Sequence, residues 1–219
     1  MRSLLIAVAM LLGVAGLAQA QVVCVDGGYA YSSQYGSQLN LLPEGRSSFA
    51  GGLAIEYLRQ PHFYLRSGLG YRAVGGKDTH NVPFTPKKGG RQANEAFHML
   101  QLNTVVRTGY RVGIMEFFLG FGPKLDFLMG KREFKEKLFA DYKANRVLFG
   151  LRYEAGLDFW MAQDKVKLGL LWSYENDVST FAKSEGNRLY NQGYGLGLSL
   201  GIRLGGRSKE ALQAETPVD

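Results

Sequence analysis

The sequence has few of the residues that hold small exported domains or metal centres together. Among its 219 residues there are only one cysteine and three histidines. A single cysteine excludes both a disulfide framework and a four-cysteine zinc site. Three histidines offer little material for a multi-histidine metal centre. We therefore predict that the protein uses no metal and no cofactor.

Beyond residue 20, the sequence also lacks any apolar run of about 18 residues, the length needed for a membrane-spanning helix. Residues 1–20 contain a basic Arg2, an uncharged apolar run over Leu4–Leu17 and the small-residue pattern Ala18-Gln19-Ala20. These features predict a signal peptide that is cleaved after Ala20. The mature chain is then either soluble and exported, or a closed β-barrel, the only other fold that spans a bilayer.

Glycine is abundant, with 29 residues, and aromatic residues make up 12% of the chain. Along much of the chain, apolar residues alternate with glycine, charged or other polar residues, which indicates half-buried β-strands. In Gly193–Leu204 the even positions are Tyr, Leu or Ile, whereas the odd positions are Gly, Ser or Arg. The pattern predicts eight strands, over Val23–Ser32, Phe49–Tyr57, Phe63–Ala73, His98–Val106, Ile114–Met129, Val147–Met161, Val166–Glu175 and Gly193–Leu204.

The connections between these strands alternate between short and long, as in outer-membrane barrels. Short turns are predicted near residues 60–61, 109–113 and 162–164, and long loops over 33–45, 75–97, 130–146 and 176–192. We therefore predict an all-β fold, an eight-stranded antiparallel transmembrane up-and-down β-barrel. The barrel is predicted to occupy residues 21–204, followed by a polar tail over 205–219.

A soluble ligand-binding barrel is the rival architecture, because alternation alone does not separate the inner face from the outer face. The polar faces favour the membrane barrel, since they combine many glycines with charges of both signs. Small residues suit the crowded interior of a narrow barrel. Cys24 follows Val22 and Val23 rather than small residues, so it is predicted to be a free thiol and not a lipid attachment site.

Four stretches of the sequence carry a resemblance to a known family. They are Phe49–Leu58, Phe63–Lys77, Phe118–Lys124 and Gly193–Gly201, which read FAGGLAIEYL, FYLRSGLGYRAVGGK, FLGFGPK and GYGLGLSLG. They resemble the β-barrel domain of PorT-like, or porin-family, outer-membrane proteins. The resemblance covers nearly the whole mature chain. It implies an eight-stranded barrel in the outer membrane of Gram-negative bacteria, and it brings no catalytic residues.

The charged residues on the polar faces are predicted to meet inside the barrel. In a water-poor lumen each charge requires a partner of opposite sign. The arrangement is either a selectivity filter or a structural ion-pair network that plugs the lumen, and the small strand number favours the plug. The predicted network comprises Glu56, Arg66, Arg72, Arg107, Glu116, Lys124, Asp126, Arg152, Glu154, Asp158 and Arg203, and its inward parity also extends to Lys165, Lys167 and Glu175.

The loop over 130–146 is basic and is the second candidate site. Its residues Lys131, Arg132, Lys135 and Lys137 are candidates for contact with the phosphates of lipopolysaccharide. The alternative is an ordinary solvated loop, since charge alone is weak evidence. The dispersed basic residues argue against nucleic acid as a partner.

No catalytic constellation is evident. His98 lies near the predicted loop end of its strand, and no serine stands within two residues of it. We predict a non-enzymatic protein of the bacterial outer membrane with a structural or adhesive role through its long loops. The alternatives are an accessory component of a secretion or transport assembly, as the resemblance implies, and a narrow porin.

Overall fold

The computed structural model describes residues 20–36, 44–60, 62–78, 93–134, 142–184 and 187–204. The predicted leader, apart from Ala20, and the predicted tail lie outside these ranges, as do Lys135 and Lys137. None of the described residues forms a helix long and apolar enough to cross a membrane. The strands are β1 Ala20–Gly36, β2 Glu44–Tyr57, β3 Phe63–Asp78, β4 Ala93–Val112, β5 Met115–Leu128, β6 Lys143–Ala144, β7 Val147–Met161, β8 Val166–Asp177, β9 Ala182–Ser184 and β10 Asn187–Arg203.

Eight of these strands form a closed antiparallel ring. Strands β1 to β5 pair in sequence, β5 pairs with β7, β7 with β8, and β8 with β10. Strand β10 then pairs with β1 from Val22↔Arg203 to Gly36↔Leu189, and this pairing closes the barrel. The predicted eight-stranded up-and-down barrel is therefore confirmed. Strands β6 and β9, which the sequence pattern did not predict, lie outside the ring.

Side chains alternate between the two faces of the wall as the pattern predicts. In β10, Leu196, Leu198 and Leu200 are each more than half exposed, whereas Ser199 and Gly201 are buried. The same alternation leaves Leu168, Leu170 and Trp172 of β8 exposed, and other strands also expose large apolar residues at alternate positions. The apolar residues thus cover the outside of the barrel, and the polar residues line its lumen.

The ends of several strands differ from the prediction. Strand β3 continues to Asp78 and β4 begins at Ala93, so both extend beyond the apolar segments. At the opposite end, β4 continues to Val112, and the predicted turn over 109–113 is a two-residue hairpin at Gly113 and Ile114. Gly113 has a φ of 60°, which glycine adopts without strain. Backbone pairing therefore continues where the side-chain pattern has already ended.

Glycines make one half of the inner wall thin. On β1, a Cβ atom at Gly28 would lie 2.3 Å from the carbonyl oxygen of Leu196, and on β2 a Cβ atom at Gly52 would lie 2.5 Å from that of Leu69. Only glycine allows such close approach of neighbouring strands. The long charged side chains that fill the lumen project largely from the other half of the wall, from β4 to β8, with Arg66 and Arg72 added by β3.

Candidate functional site: the lumen and its loop-end cap

The centre of the lumen is built around Glu154 of β7, which is almost completely buried. Arg107 of β4 donates through Nε to Glu154 Oε2 at 2.7 Å, and Arg152 donates through Nε to Glu154 Oε1 at 2.6 Å. The guanidinium of Arg66 lies 3.9 Å from the same carboxylate and pairs closely with Asp26. One carboxylate thus lies among three guanidinium groups.

A second group of charges lies closer to the long connections, at what we call the loop end of the barrel. Glu175 of β8 forms ion pairs with Arg72 and Arg152 and accepts a hydrogen bond of 2.7 Å from Gln101 Nε2. Lys124 Nζ lies 2.5 Å from Asp126 Oδ2 and 2.6 Å from Asp177 Oδ1. These contacts join β3, β4, β5, β7 and β8 across the lumen.

A third group lies near the short turns, at the turn end. Lys167 pairs with Glu56 and, at 2.9 Å, with Asp158 Oδ2. Arg59 pairs with Glu116, which also accepts a 2.7 Å hydrogen bond from Trp160 Nε1. Burial alone would lower the pKa of Arg59, but Glu116 and then Glu56 raise it above its ordinary value, so the guanidinium stays charged.

The structure brings ten of the eleven predicted lumen residues into ion pairs. Arg203 differs, because its guanidinium lies over the ring of Trp160, 4.5 Å from the centroid. Lys165, also expected inside, is exposed in the turn between β7 and β8, since the chain leaves the wall at Met161. Sequence reasoning missed Asp26, Arg59, Gln101 and Asp177 as members.

Each omission has a physical reason. Asp26 lies in the strand with the weakest alternation, Arg59 follows the end of β2, and Asp177 stands in a segment predicted as loop. Gln101 stands at an inward-facing position of its strand, but it carries no charge. Its amide nevertheless links Asp126, at 2.9 Å, to Glu175. A search for every polar residue at an inward-facing strand position, charged or not, would include both Asp26 and Gln101.

A cavity of about 90 Å³ remains between the glycine-rich half of the wall and the charged side chains. Arg66, Arg72, Gln101, Asn103 and Arg152 line it. Within the described part of the chain, Arg72 Nε and Asn103 Oδ1 are buried without a hydrogen-bond partner. A cavity of this size with polar walls has room for a few water molecules. The network therefore leaves part of the lumen unfilled.

An apolar cluster covers the loop end of the lumen, and we call it the loop-end cap. The ring centroid of Phe97, on β4, lies 4.9 Å from those of Phe134 and Phe181, which come from two different loops. All three side chains are buried. The cap consists of Val74, Phe97, Met99, Phe134, Ala144, Leu148, Phe181, Ala182 and Leu189.

The two loops that supply this cap are joined by a small sheet. Strand β9 pairs with the beginning of β10, and β6 pairs with β9. Arg132 Nε donates to the carbonyl oxygen of Ala144 at 2.7 Å, and the amide of Asn145 donates to that of Phe181 at 2.7 Å. Of the predicted basic contact residues, Lys131 and Arg132 are exposed here.

The histidine near the loop end lies against an aromatic residue on the outer face of the barrel. His98 faces outward and its Nδ1 lies 2.5 Å from the hydroxyl of Tyr71, with the two rings stacked. Cys24 is a free thiol, as predicted, and it is buried beside Val22, Ala54 and Trp160. No group of three potential metal-ligating side chains occurs within the described ranges.

The protein is similar in structure to solved bacterial outer-membrane barrels. No protein-family model and no curated protein sequence matches the chain. Neisserial surface protein A has a TM-score of 0.50 at 13% identity over 83% of this chain and 97% of its own. Ail, the attachment invasion locus protein of Yersinia pestis, was solved in complex with the heparin analogue sucrose octasulfate. It has a TM-score of 0.39 at 15% identity over 81% of this chain and 97% of its own. The outer-membrane enzyme PagL has a TM-score of 0.40 at 14% identity over 82% of this chain and 99% of its own.

The closed ring of eight strands and the likeness to Neisserial surface protein A define the fold as an eight-stranded barrel of the outer-membrane type. The predicted porin-family resemblance is supported at this coarse level, and the PorT-like assignment stays a prediction. Because one fold supports different functions, the function has to be argued from the residues of this chain.

Proposed function

We propose that the protein is an integral, non-enzymatic protein of the bacterial outer membrane with a closed lumen. In this proposal the barrel anchors the protein, and the loop end presents a contact surface outside the cell. The observation that carries the proposal is the combination of a cross-lumen ion-pair network with an apolar cap over its loop end. A barrel closed in this way offers solutes no open path, so function is left to the surface.

Electrostatics and packing both support closure. A permeating ion would have to separate contacts such as Lys124–Asp126 and Arg107–Glu154, in which both partners are buried. Breaking one buried pair costs about 3–5 kcal/mol. The ion would then have to pass the packed rings of Phe97, Phe134 and Phe181. The 90 Å³ cavity lies between the charged side chains and the glycine-rich wall.

The loop end is the surface that we assign to the exterior. It carries the long connections, as the extracellular side of outer-membrane barrels does, and β6 pairs with β9 there. The proposed partners are lipopolysaccharide and proteins of the cell envelope. A role as an accessory component of a secretion assembly predicts a stable protein partner that co-purifies in detergent.

Cysteine labelling on intact cells tests this orientation. In a Cys24→Ala background, Lys131→Cys at the loop end should react with a membrane-impermeant maleimide. The matched variant Lys165→Cys, whose parent lysine is equally exposed but lies at the turn end, should stay unlabelled. After the outer membrane is breached, both variants should react. Labelling of Lys165→Cys alone on intact cells would show the opposite orientation and would overturn the proposal.

A further inference from the structure

Three basic residues lie side by side on the small sheet at the loop end. Lys143 of β6 is directly opposite Lys183 of β9, and Lys183 is directly opposite Arg188 of β10. All three side chains are exposed. The Cβ atoms of directly opposed residues lie about 5 Å apart, so those of the three basic residues lie within about 10 Å. We call Lys143, Lys183 and Arg188 the basic row.

The packing beneath fixes this arrangement. Each basic residue has an apolar sequence neighbour that faces the opposite side of the sheet. These neighbours are buried in the loop-end cap and are Ala144, Ala182 and Leu189. A shift of register by one residue would place lysines in the apolar cap. The three cations are therefore held in register, although like charges in directly opposed positions destabilise a sheet.

The surroundings of the row add to its positive charge. Arg132 is held near β6 by its hydrogen bond to Ala144, and Lys131 and Arg146 are exposed in the same loop. The backbones of Glu133 and Lys143 form an isolated antiparallel β-bridge, so one acidic residue stands directly opposite the end of the row. Over 129–146 and 178–188 the sequence has eight basic and four acidic residues, so the segments that carry the row are net positive.

The position of the row indicates where its partner lies. The outward aromatic residues of β10 continue to Tyr190, whose ring stacks on that of Tyr35 with the centroids 5.4 Å apart. Arg188 lies two residues beyond Tyr190 on the same strand and on the same face. This separation is about 7 Å along the strand, or about 5 Å in height at the usual strand tilt. The row therefore lies next to the outermost aromatic residues of β10, and such residues mark the level of the headgroups in membrane proteins.

We propose that the basic row binds the phosphate groups of lipopolysaccharide. This inference rests on the proposed outward orientation of the loop end. Lysine and arginine form charge-assisted hydrogen bonds with phosphate oxygens, and an incoming anion also relieves the repulsion within the row. Lipopolysaccharide surrounds a barrel in this membrane, which favours it over a polyanion that must arrive from solution.

The test uses the full-length protein in detergent and deacylated, phosphorylated lipopolysaccharide, a soluble probe that lacks the acyl chains attracted to the lipid-facing surface. Lys183→Glu reverses the central charge of the row and should weaken binding at least about tenfold, because a hydrogen bond to a charged group contributes about 1.5–3 kcal/mol. Lys165→Glu, the same change at the turn end, should leave binding unchanged. The wild-type protein should bind the enzymatically dephosphorylated probe no more tightly than the Lys183→Glu variant binds the phosphorylated probe.

A stability measurement separates binding from a structural role. Lys183→Glu places opposite charges beside Lys143 and Arg188, so the variant should resist thermal unfolding at least as well as the wild type. Equal binding by wild type and Lys183→Glu, or equal binding of phosphorylated and dephosphorylated probe, overturns the inference. So does binding of heparin, a sulfated glycan, without binding of the lipopolysaccharide probe. Each of these results leaves the cysteine-labelling test of orientation unaffected.

Discussion

Replacement of Glu154 by glutamine is expected to lower the free energy of unfolding by about 3–5 kcal/mol, the usual effect of removing one partner from a buried ion pair. Glutamine keeps the size of the side chain but removes the charge that balances Arg107 and Arg152. These guanidinium groups are themselves buried or nearly so, and they would be left without the carboxylate between them. Urea titration of the barrel in detergent, followed by tryptophan fluorescence, measures the change.

Arg111→Gln is the matched control for this experiment. Arg111 pairs with Asp164 through two hydrogen bonds of 2.6 and 2.8 Å, so the geometry of the pair is good, but the arginine side chain is 38% exposed. Exposed pairs contribute at most about 1 kcal/mol. If Glu154→Gln and Arg111→Gln were equally stable, the lumen network would not be the buried, mutually dependent structure described above.

Leu198→Arg is expected to prevent most of the protein from inserting into membranes. Leu198 lies on the outer face of β10 between Leu196 and Leu200 and is 59% exposed. An arginine on the lipid-facing side of a barrel costs about 2–4 kcal/mol near the middle of the bilayer. The fraction of refolded protein that becomes heat-modifiable in lipid vesicles measures insertion.

A second substitution separates lipid contact from surface exposure alone. Ile114 is 62% exposed, much as Leu198 is, but it lies in the hairpin at the turn end, beyond the strands. Ile114→Arg should therefore insert nearly as well as the wild type. Equal insertion of Leu198→Arg and the wild type would mean that the apolar face of β10 does not contact lipid.

Much of the wall of the barrel is predictable because each strand carries its own evidence. The alternation in Val147–Met161 gives both the extent of β7 and the direction in which Arg152 and Glu154 point. The partners inside the lumen are harder to predict, since Lys167 meets Glu56 across 111 positions of sequence. Such a contact depends on strand register and on closure of the barrel. The alternation of side chains along one strand gives information about neither.

The loop-end cap and the basic row were not predictable for a related reason. Strands β6 and β9 have two and three residues, too few to show an alternation. Phe134 and Phe181 are isolated aromatic residues in polar surroundings, and only the fold brings them against Phe97. Likewise, the charge of Lys143, Lys183 and Arg188 is visible in the sequence, but their alignment across three strands is not.

Single-channel recording in planar lipid bilayers is the most direct test that the lumen is closed. The wild-type protein is reconstituted from detergent, and insertion is verified by the heat-modifiable band of the recovered protein. Since the buried ion pairs and the loop-end cap both lie across the path, we expect inserted wild-type barrels to give no steady conductance. Well-resolved, steady conductance steps from the inserted wild-type protein would contradict the closed lumen and would favour a narrow pore.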